Sequence, residues 1–258
     1  MIVIKLMGGL GNQLFQWALG FSLKKRGHEV RYDISAYENN AKRQYWLGPI
    51  DDLIFDQSTT RHFYEKSHIF DPYALIPADG RTMIGYWQAE QYFTNYAENI
   101  RHHVNLLWAM KPLVGQAKEI QKEIFASHSV FLHVRRQDYL GLQHFHGLLD
   151  MNYYRSAVNT LSEKHTNLKF FVFSDDREWC RQTFTADNFK VVDYTDMYED
   201  LQLMADCKHA ILANSSFSWW GAWLGDNQQG RTVIAPRRWF TSPDVDDRDL
   251  VPSRWLKI

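Results

Sequence analysis

VFLHVR at residues 130–135, YYRSAVNTLSEK at 153–164, KFFVF at 169–173, REWCRQTF at 177–184, KVVDY at 190–194, YEDLQLMADC at 198–207, AILA at 210–213, FSWWGAWL at 217–224 and TVIA at 232–235 together decide the fold. Short apolar runs rich in Val, Ile and Phe alternate with longer stretches of helical period, so strand and helix succeed one another regularly. That alternation predicts an α/β chain with a parallel, Rossmann-like sheet covered on both faces. Ligands of open α/β sheets bind beyond the carboxyl ends of the strands, so the residues that follow each strand carry the functional expectation.

Working outward, Ile2 to Met7 reads as a strand, Gly8, Gly9 and Gly11 punctuate it, and Asn12 to Arg26 reads as a helix before a second strand over His28 to Ile34. The opening unit is therefore βαβ. From Tyr37 to Asn105 aromatics, histidines and turn residues mix without a sustained period. Val114, Ala117, Ile120, Ile124 and Phe125 give an amphipathic helix over Leu113 to Ala126, expected to bridge two halves divided as 1–125 and 126–258.

With 29 Lys+Arg against 30 Asp+Glu the chain carries a net charge of -1, which argues against a nucleic-acid partner held by a broad positive field. Cys180 and Cys207 stand alone, in neither a CxxC nor a His-rich setting, which argues against a disulfide framework or structural zinc. His62, His68, His102, His103, His144 and His146 form no HExxH or three-His pattern. The short first strand, broken by Lys5, does not read as a signal peptide, and the longest uncharged stretch, Ala210 to Gly225, falls short of a membrane span. The expected location is cytoplasmic.

Four motifs sit where strands end. Gly8-Gly9-Leu10-Gly11-Asn12-Gln13 has neither the dinucleotide-binding spacing nor a P-loop lysine, yet its glycines allow close backbone approach and the next helix offers free N–H groups to an anion; a plain tight turn is equally compatible. In His133-Val134-Arg135-Arg136-Gln137-Asp138 two adjacent cations beside a carboxylate suit a diphosphate, the alternative being an ion pair from Arg135 or Arg136 to Asp138. Ser174-Asp175-Asp176 offers a metal or ribose site, or an N-cap by Ser174 or Asp175. Asn214-Ser215-Ser216 presents amide and hydroxyls at a strand-to-helix turn, suited to phosphate or to capping. Asp200, taken alone, is an acid in the first turn of a helix.

The ordered set MGGLGNQLFQWA, GYWQAEQYF, HVRRQDY, FSDD, NSSFSWWGAWL and APRRWF, running from Gly8 to Trp239, resembles the bacterial α-1,2-fucosyltransferases. The resemblance implies a GT-B architecture with two Rossmann-like halves facing a cleft, the first acceptor-side and the second holding GDP-fucose. It implies inverting transfer of L-fucose from GDP-β-L-fucose to the 2-hydroxyl of a terminal β-galactose, with no cofactor and no essential metal. A galactose-terminated, lipid-linked glycan of an O-antigen or capsule would be met by peripheral contact at the inner membrane. Carried over by motif, Arg135 contacts the β-phosphate with Arg136 in support, His133 lies near the nucleoside, Asp138 is the candidate base, and Asp175 or Asp176 touches the ribose. Asp200 stands sixteen residues before Ser216, the spacing of a guanine-binding acid in the wider fucosyltransferase superfamily, which makes Ser215 and Ser216 phosphate contacts. Asn214, Gly9, Gly11 and Asn12 complete the expected donor site. Gln137 departs from the family, which usually has Gly there. A fucosyltransferase of another linkage, or a silent GDP-sugar or glycan-binding protein, are the alternatives.

Overall fold

Both predicted sheets form, and every strand pair within them is parallel. The computed structural model describes residues 1–38, 43–48, 53–54, 61–137 and 147–258. Contacts divide them into two units, Met1–Leu106 with Val245–Pro252, and Leu107–Asp244 with Ser253–Ile258.

In the first unit, β1 (Ile2–Lys5), β2 (Val30–Asp33), β3 (Leu53–Ile54), β4 (Arg61–Tyr64) and β5 (Arg81–Ile84) lie in the order β3-β2-β1-β5-β4. Central β1 is almost wholly apolar and buried because helices and loops cover both faces of a parallel sheet. Helix α1 (Leu10–Lys25) packs on this sheet and buries even Gln13, Gln16 and Ser22. It starts two residues before the predicted Asn12, with Gly9 as N-cap, so Gly11 and Asn12 occupy its first turn. Strands β3, β4 and β5 and most of helix α2 (Ala97–Met110) come from the stretch without readable period.

The second unit follows the expected alternation closely. Its elements are α3 (Gly115–Phe125), β6 (His128–Val134), α4 (Met151–Lys164), β7 (Leu168–Ser174), α5 (Arg177–Thr183), β8 (Phe189–Val191), α6 (Met197–Asp206), β9 (His209–Ile211), α7 (Ser216–Leu224), β10 (Val233–Ala235) and β11 (Leu256–Lys257). The strand order β11-β10-β9-β6-β7-β8 is the doubly wound Rossmann order. Start signals are local and strong: Asp150 caps α4, Asp196 and Glu199 form a capping box on α6, and Ser215 caps α7. Phe170, Val172, Tyr154, Leu161 and Ile211 supply part of one buried face.

The boundary between the units falls at Leu106/Leu107 and not at 125/126. The reason is that α3 packs on α6 and β6: Gln121 Nε2 donates to Asp206 Oδ2 at 2.7 Å, and Glu123 accepts from Lys169 at 2.9 Å and from Lys190. Val114 and Phe125, expected on the buried face of that helix, are exposed at its two ends. Residues 245–252 return to the first unit, where Leu250 and Val251 are buried and the Phe70 N–H donates to Asp249 Oδ2 at 2.9 Å. Both cysteines are free and buried, and burial pushes the Cys180 thiol up to about 11.

Candidate active site

Strands β6 and β9 are neighbours at the point where the winding of the second sheet reverses, with β7 and β8 on one side and β10 and β11 on the other. The crevice outside the carboxyl ends of two such strands is where doubly wound sheets take their ligands. The HVRR segment leaves β6 there, and the Asn214-Ser215-Ser216 turn follows β9. The topology therefore brings together motifs that lie about eighty residues apart in the chain.

His133 is 3% exposed; burial, reinforced by Arg135, pushes its imidazole down to about 3, so it is neutral at physiological pH. Its Nδ1 has no hydrogen-bond partner among the described residues, which makes it a candidate for pairing with a ligand. Arg135 Nε lies 3.3 Å from Asp175 Oδ2, and Arg136 Nε donates to Asp176 Oδ2 at 3.2 Å. The Arg136 backbone N–H donates to Asp175 Oδ1 at 2.9 Å, and its guanidinium lies over the Trp179 ring, 4.0 Å from the centroid. The two acids of FSDD are thus counter-charges that hold the two cations in place across adjacent strands. Asp176 also caps α5 by accepting the Trp179 N–H, in place of the predicted Ser174 or Asp175, because the helix begins at Arg177 and the cap is the residue before it.

Asp200 lies in the first turns of α6, largely buried, with Oδ1 accepting the Thr195 hydroxyl at 2.5 Å and Oδ2 3.9 Å from Arg177 Nη2. Burial raises its carboxyl to about 6; Thr195 and Arg177 pull the other way, and Asp196 and Glu199 add to the rise. Ser215 Oγ accepts the Phe217 N–H as N-cap of α7, and Ser216 is the first residue of that helix. The Asn214 amide donates to the carbonyls of Gly147 and Trp239, both at 3.1 Å, tying down two loops. Asp138, with Tyr139, His144 and His146, lies outside the described residues. Arg177, Thr195 and Trp179 escaped the sequence reading, although the first two follow strands and so carried the same positional signal as the residues that were found.

At the carboxyl edge of the first sheet neutral amides make many of the side-chain hydrogen bonds, beside the carboxylates of Asp33 and Glu65. Gln16 accepts the Met7 N–H and donates to the Gly85 carbonyl, both at 2.9 Å. Gln13 donates to the carbonyls of Gly8 at 3.0 Å and Gln44 at 2.9 Å, and accepts the Trp46 N–H at 2.8 Å. Gln88 Nε2 donates to Asn12 Oδ1 at 2.8 Å. Gly8 has φ +82, and a Cβ there would stand 2.6 Å from Asn12 Nδ2, so both the backbone and the space require glycine. Glu65 receives the N–H groups of Tyr86 at 2.7 Å and Trp87 at 2.9 Å; burial pushes its carboxyl above the ordinary carboxylate range, and those two donors oppose the rise.

His128, His165 and His209 come within 4.8 Å of one another at the opposite, amino edge of the second sheet. Their hydrogen bonds define the tautomers. His209 Nδ1 accepts the Thr232 N–H at 3.1 Å, so the proton of its neutral ring is on Nε2, 3.0 Å from His128 Nε2. His128 in turn directs Nδ1 at the Thr166 carbonyl, 3.0 Å away. In this arrangement His209 has no lone pair to offer a cation. Burial, then the neighbouring His165 and His128, push His209 down to about 4.

The family model described as Glycosyl transferase family 11 matches residues 1–258. The chain is 32% identical to an Escherichia coli protein named alpha-1,2-colitosyltransferase, over 100% of this chain and 98% of that protein. It is 27% identical to the Escherichia coli O-antigen biosynthesis glycosyltransferase WbnK, over 98% and 99%. It is 33% identical to galactoside alpha-(1,2)-fucosyltransferase 1 of Leontocebus fuscicollis, over 93% of this chain and 68% of that one. Among solved structures, Escherichia coli heptosyltransferase WaaC with ADP shares the fold at a TM-score of 0.50 and 10% identity, covering 99% of this chain and 92% of its own. The two parallel-sheet halves are of the GT-B class. No helix among the described residues is long and apolar enough to cross a membrane.

Proposed function

The chain belongs to glycosyl transferase family 11, and on that premise we propose that it transfers L-fucose from GDP-β-L-fucose, with inversion, to the 2-hydroxyl of a terminal β-galactose. The acceptor is a galactose-terminated oligosaccharide of O-antigen or capsule type, carried on lipid and met by peripheral contact with the inner membrane. The observation that carries this reading is the pair Arg135 and Arg136 at the switch point of the second sheet, each held by its own aspartate.

Rupture of the fucosyl bond builds negative charge on the departing diphosphate. Arg135 contacts the β-phosphate with Arg136 in support, while Ser215, Ser216 and the free N–H groups at the start of α7 add donors, so this charge is stabilised without a metal. Asp200 binds guanine: its carboxylate, raised to about 6 by burial yet still ionised at pH 7, accepts from the N1–H and exocyclic NH2 of that base together, a pattern that neither uracil nor adenine presents. His133 serves the nucleoside, and Asp175 or Asp176 adds a ribose contact with whatever accepting capacity its arginine leaves. The sugar passes through an oxocarbenium-like state, and the acceptor hydroxyl attacks from the opposite face in one displacement. Asp138 is assigned as the base that takes its proton.

The test is GDP release from GDP-fucose with a panel of galactose-terminated acceptors, with EDTA and with R135A. Acceptor-dependent, EDTA-resistant release that falls about 100-fold or more in R135A is expected, with NMR of the product showing the α-1,2 linkage. Failure of the wild type to bind GDP-fucose overturns the reading. The colitosyltransferase relative favours one second reading, transfer of the 3-deoxy counterpart of L-fucose; a competition between the two GDP-sugars in the same tube decides it by product mass.

A further inference from the structure

The segment Gly85-Tyr86-Trp87-Gln88 belongs to the GYWQAEQYF motif, to which neither the donor site nor the chemistry assigns a role. It leaves the carboxyl end of β5, next to the Gly8–Asn12 loop that leaves β1. Trp87 is fully buried and has φ 57, a left-handed conformation that costs a bulky residue energy unless its surroundings impose it. Glu65 imposes it, since its two carboxylate oxygens take the successive N–H groups of Tyr86 and Trp87. Gly85 makes the approach feasible: a Cβ there would stand 2.4 Å from the Glu65 Cβ and 2.9 Å from Trp87 Cε2.

The consequence is read one residue later. The Trp87 carbonyl accepts the Ala89 N–H at 2.9 Å, closing a three-residue turn with Gln88 at its tip. Tyr86 and Gln88 are half-buried while Gly85, Trp87 and Ala89 are buried, so alternate residues face outward. Gln88 meets Asn12 amide to amide. That pairing uses one Gln88 hydrogen and Asn12 Oδ1, and leaves Gln88 Oε1 as an acceptor and Asn12 Nδ2 as a donor, with no further hydrogen-bond partner for either among the described residues. One amide acceptor and one amide donor, on the same outward-facing side of the segment as Tyr86, match the hydroxyls of a sugar.

We propose that Asn12 and Gln88, with Tyr86 beside them, form a subsite for the acceptor sugar, and that Glu65 is its positioning residue. Asn12, expected from the sequence to serve the donor, is thereby reassigned. The inference rests on the glycosyl-transfer reading above.

The experiment compares wild type, E65Q, Q88A and the double variant, with lactose as acceptor. E65Q keeps the shape but sets an NH2 group against a backbone N–H. Expected in both single variants is an acceptor KM raised about tenfold, with kcat and the GDP-fucose KM within about twofold. Because Glu65 acts through Gln88, the double variant raises the acceptor KM no further than Q88A alone. A merely structural role for Glu65 would instead lower the melting temperature and the active fraction, cutting kcat for both substrates with the acceptor KM unmoved, and that result overturns the assignment. So does an unchanged acceptor KM in Q88A. A wild type that neither binds nor turns over GDP-fucose fails the function reading itself, and this assignment falls with it.

Discussion

The two sheet edges hold the loops beyond their strands with contrasting chemistry. At the carboxyl edge of the second sheet the loops are held by ions: Arg135 on Asp175, Arg136 on Asp176, Arg177 near Asp200. At the corresponding edge of the first sheet they are held largely by neutral amides, Gln13 and Gln16 from α1 and the Asn12–Gln88 pair, beside two carboxylates, Asp33 and Glu65, that engage backbone N–H groups. A charged, half-buried site suits a ligand that brings charge, because its phosphates can take over cations already desolvated and aimed. A neutral site suits a hydroxylated ligand that would gain little from a field. The difference follows the division of labour proposed for the two halves, donor in one and acceptor in the other.

The comparison can be broken first at Arg231. Its guanidinium donates to the carbonyls of Met204, Ala205, Cys207, Gly221 and Gly225, gathering the carboxyl-terminal ends of α6 and α7 around one desolvated cation. Burial lowers it to about 10, so it stays charged at neutral pH. Replacement R231A leaves those acceptors unpaired and is expected to cost about 3–5 kcal/mol, measured by urea unfolding followed through the clustered Trp219, Trp220 and Trp223. A loss below about 1 kcal/mol would show that charge does not hold the second unit.

The matching change in the first unit is Q16L, which keeps the volume and strips the Met7 N–H and the Gly85 carbonyl of their partner. A cost of about 2–4 kcal/mol is expected, equal at pH 5 and pH 8 because neither an amide nor a backbone group titrates there. A cost that changed across that range would mean that this edge depends on ionisation after all.

The smallest effect is the response of the wild type to acid. His209 and His133 titrate near 4 and 3 in the folded chain against an ordinary 6.5, so on acidification the unfolded chain takes up protons that the folded one refuses. Their contribution is complete above about 6.5 and is lost as pH falls from there towards 4. Asp200 works in the other direction: raised to about 6, it takes its proton while folded before it would unfolded, and so adds stability between about 6 and its ordinary value of 3.8. Four depressed histidines, His68, His133, His165 and His209, stand against three raised carboxyls, Glu65, Asp200 and Asp206, and leave a net loss on acidification. The urea midpoint should fall between pH 7 and pH 5, and H209Q should flatten that slope by close to one proton while retaining an acceptor for the Thr232 N–H. An unaltered slope would remove His209 from the account.

The second unit was legible because its signals are local. A strand of VFLHV, a Ser215 cap and an Asp196–Glu199 capping box are each set by residues within a few positions, and in a parallel sheet the right-handed crossover leaves little choice of topology. The unreadable stretch of the first unit hid β5 and α2 for the converse reason. Arg81–Ile84 is four residues with no flanking alternation, and in α2 only Ile100 and Val104 are buried, too few to mark a period. The FSDD acids were found as residues, and one of them does cap; that it is Asp176 and not Asp175 was not legible, since which of two adjacent acids caps depends on where the helix starts, within one residue.

The sequence by itself determined the α/β class, the strand ends that carry chemistry, and, through the order of its motifs, the family. Only the tertiary structure decided who partners whom. Arg136 meets Asp176 forty residues away, Gln16 reaches Gly85, Glu65 holds Trp87 in a left-handed turn, and His128, His165 and His209 meet at one edge. Periodicity and capping are free energies of neighbours along the chain and can be read from it. A buried polar group takes whichever partner the packed fold brings within 3 Å, and no local pattern records that choice.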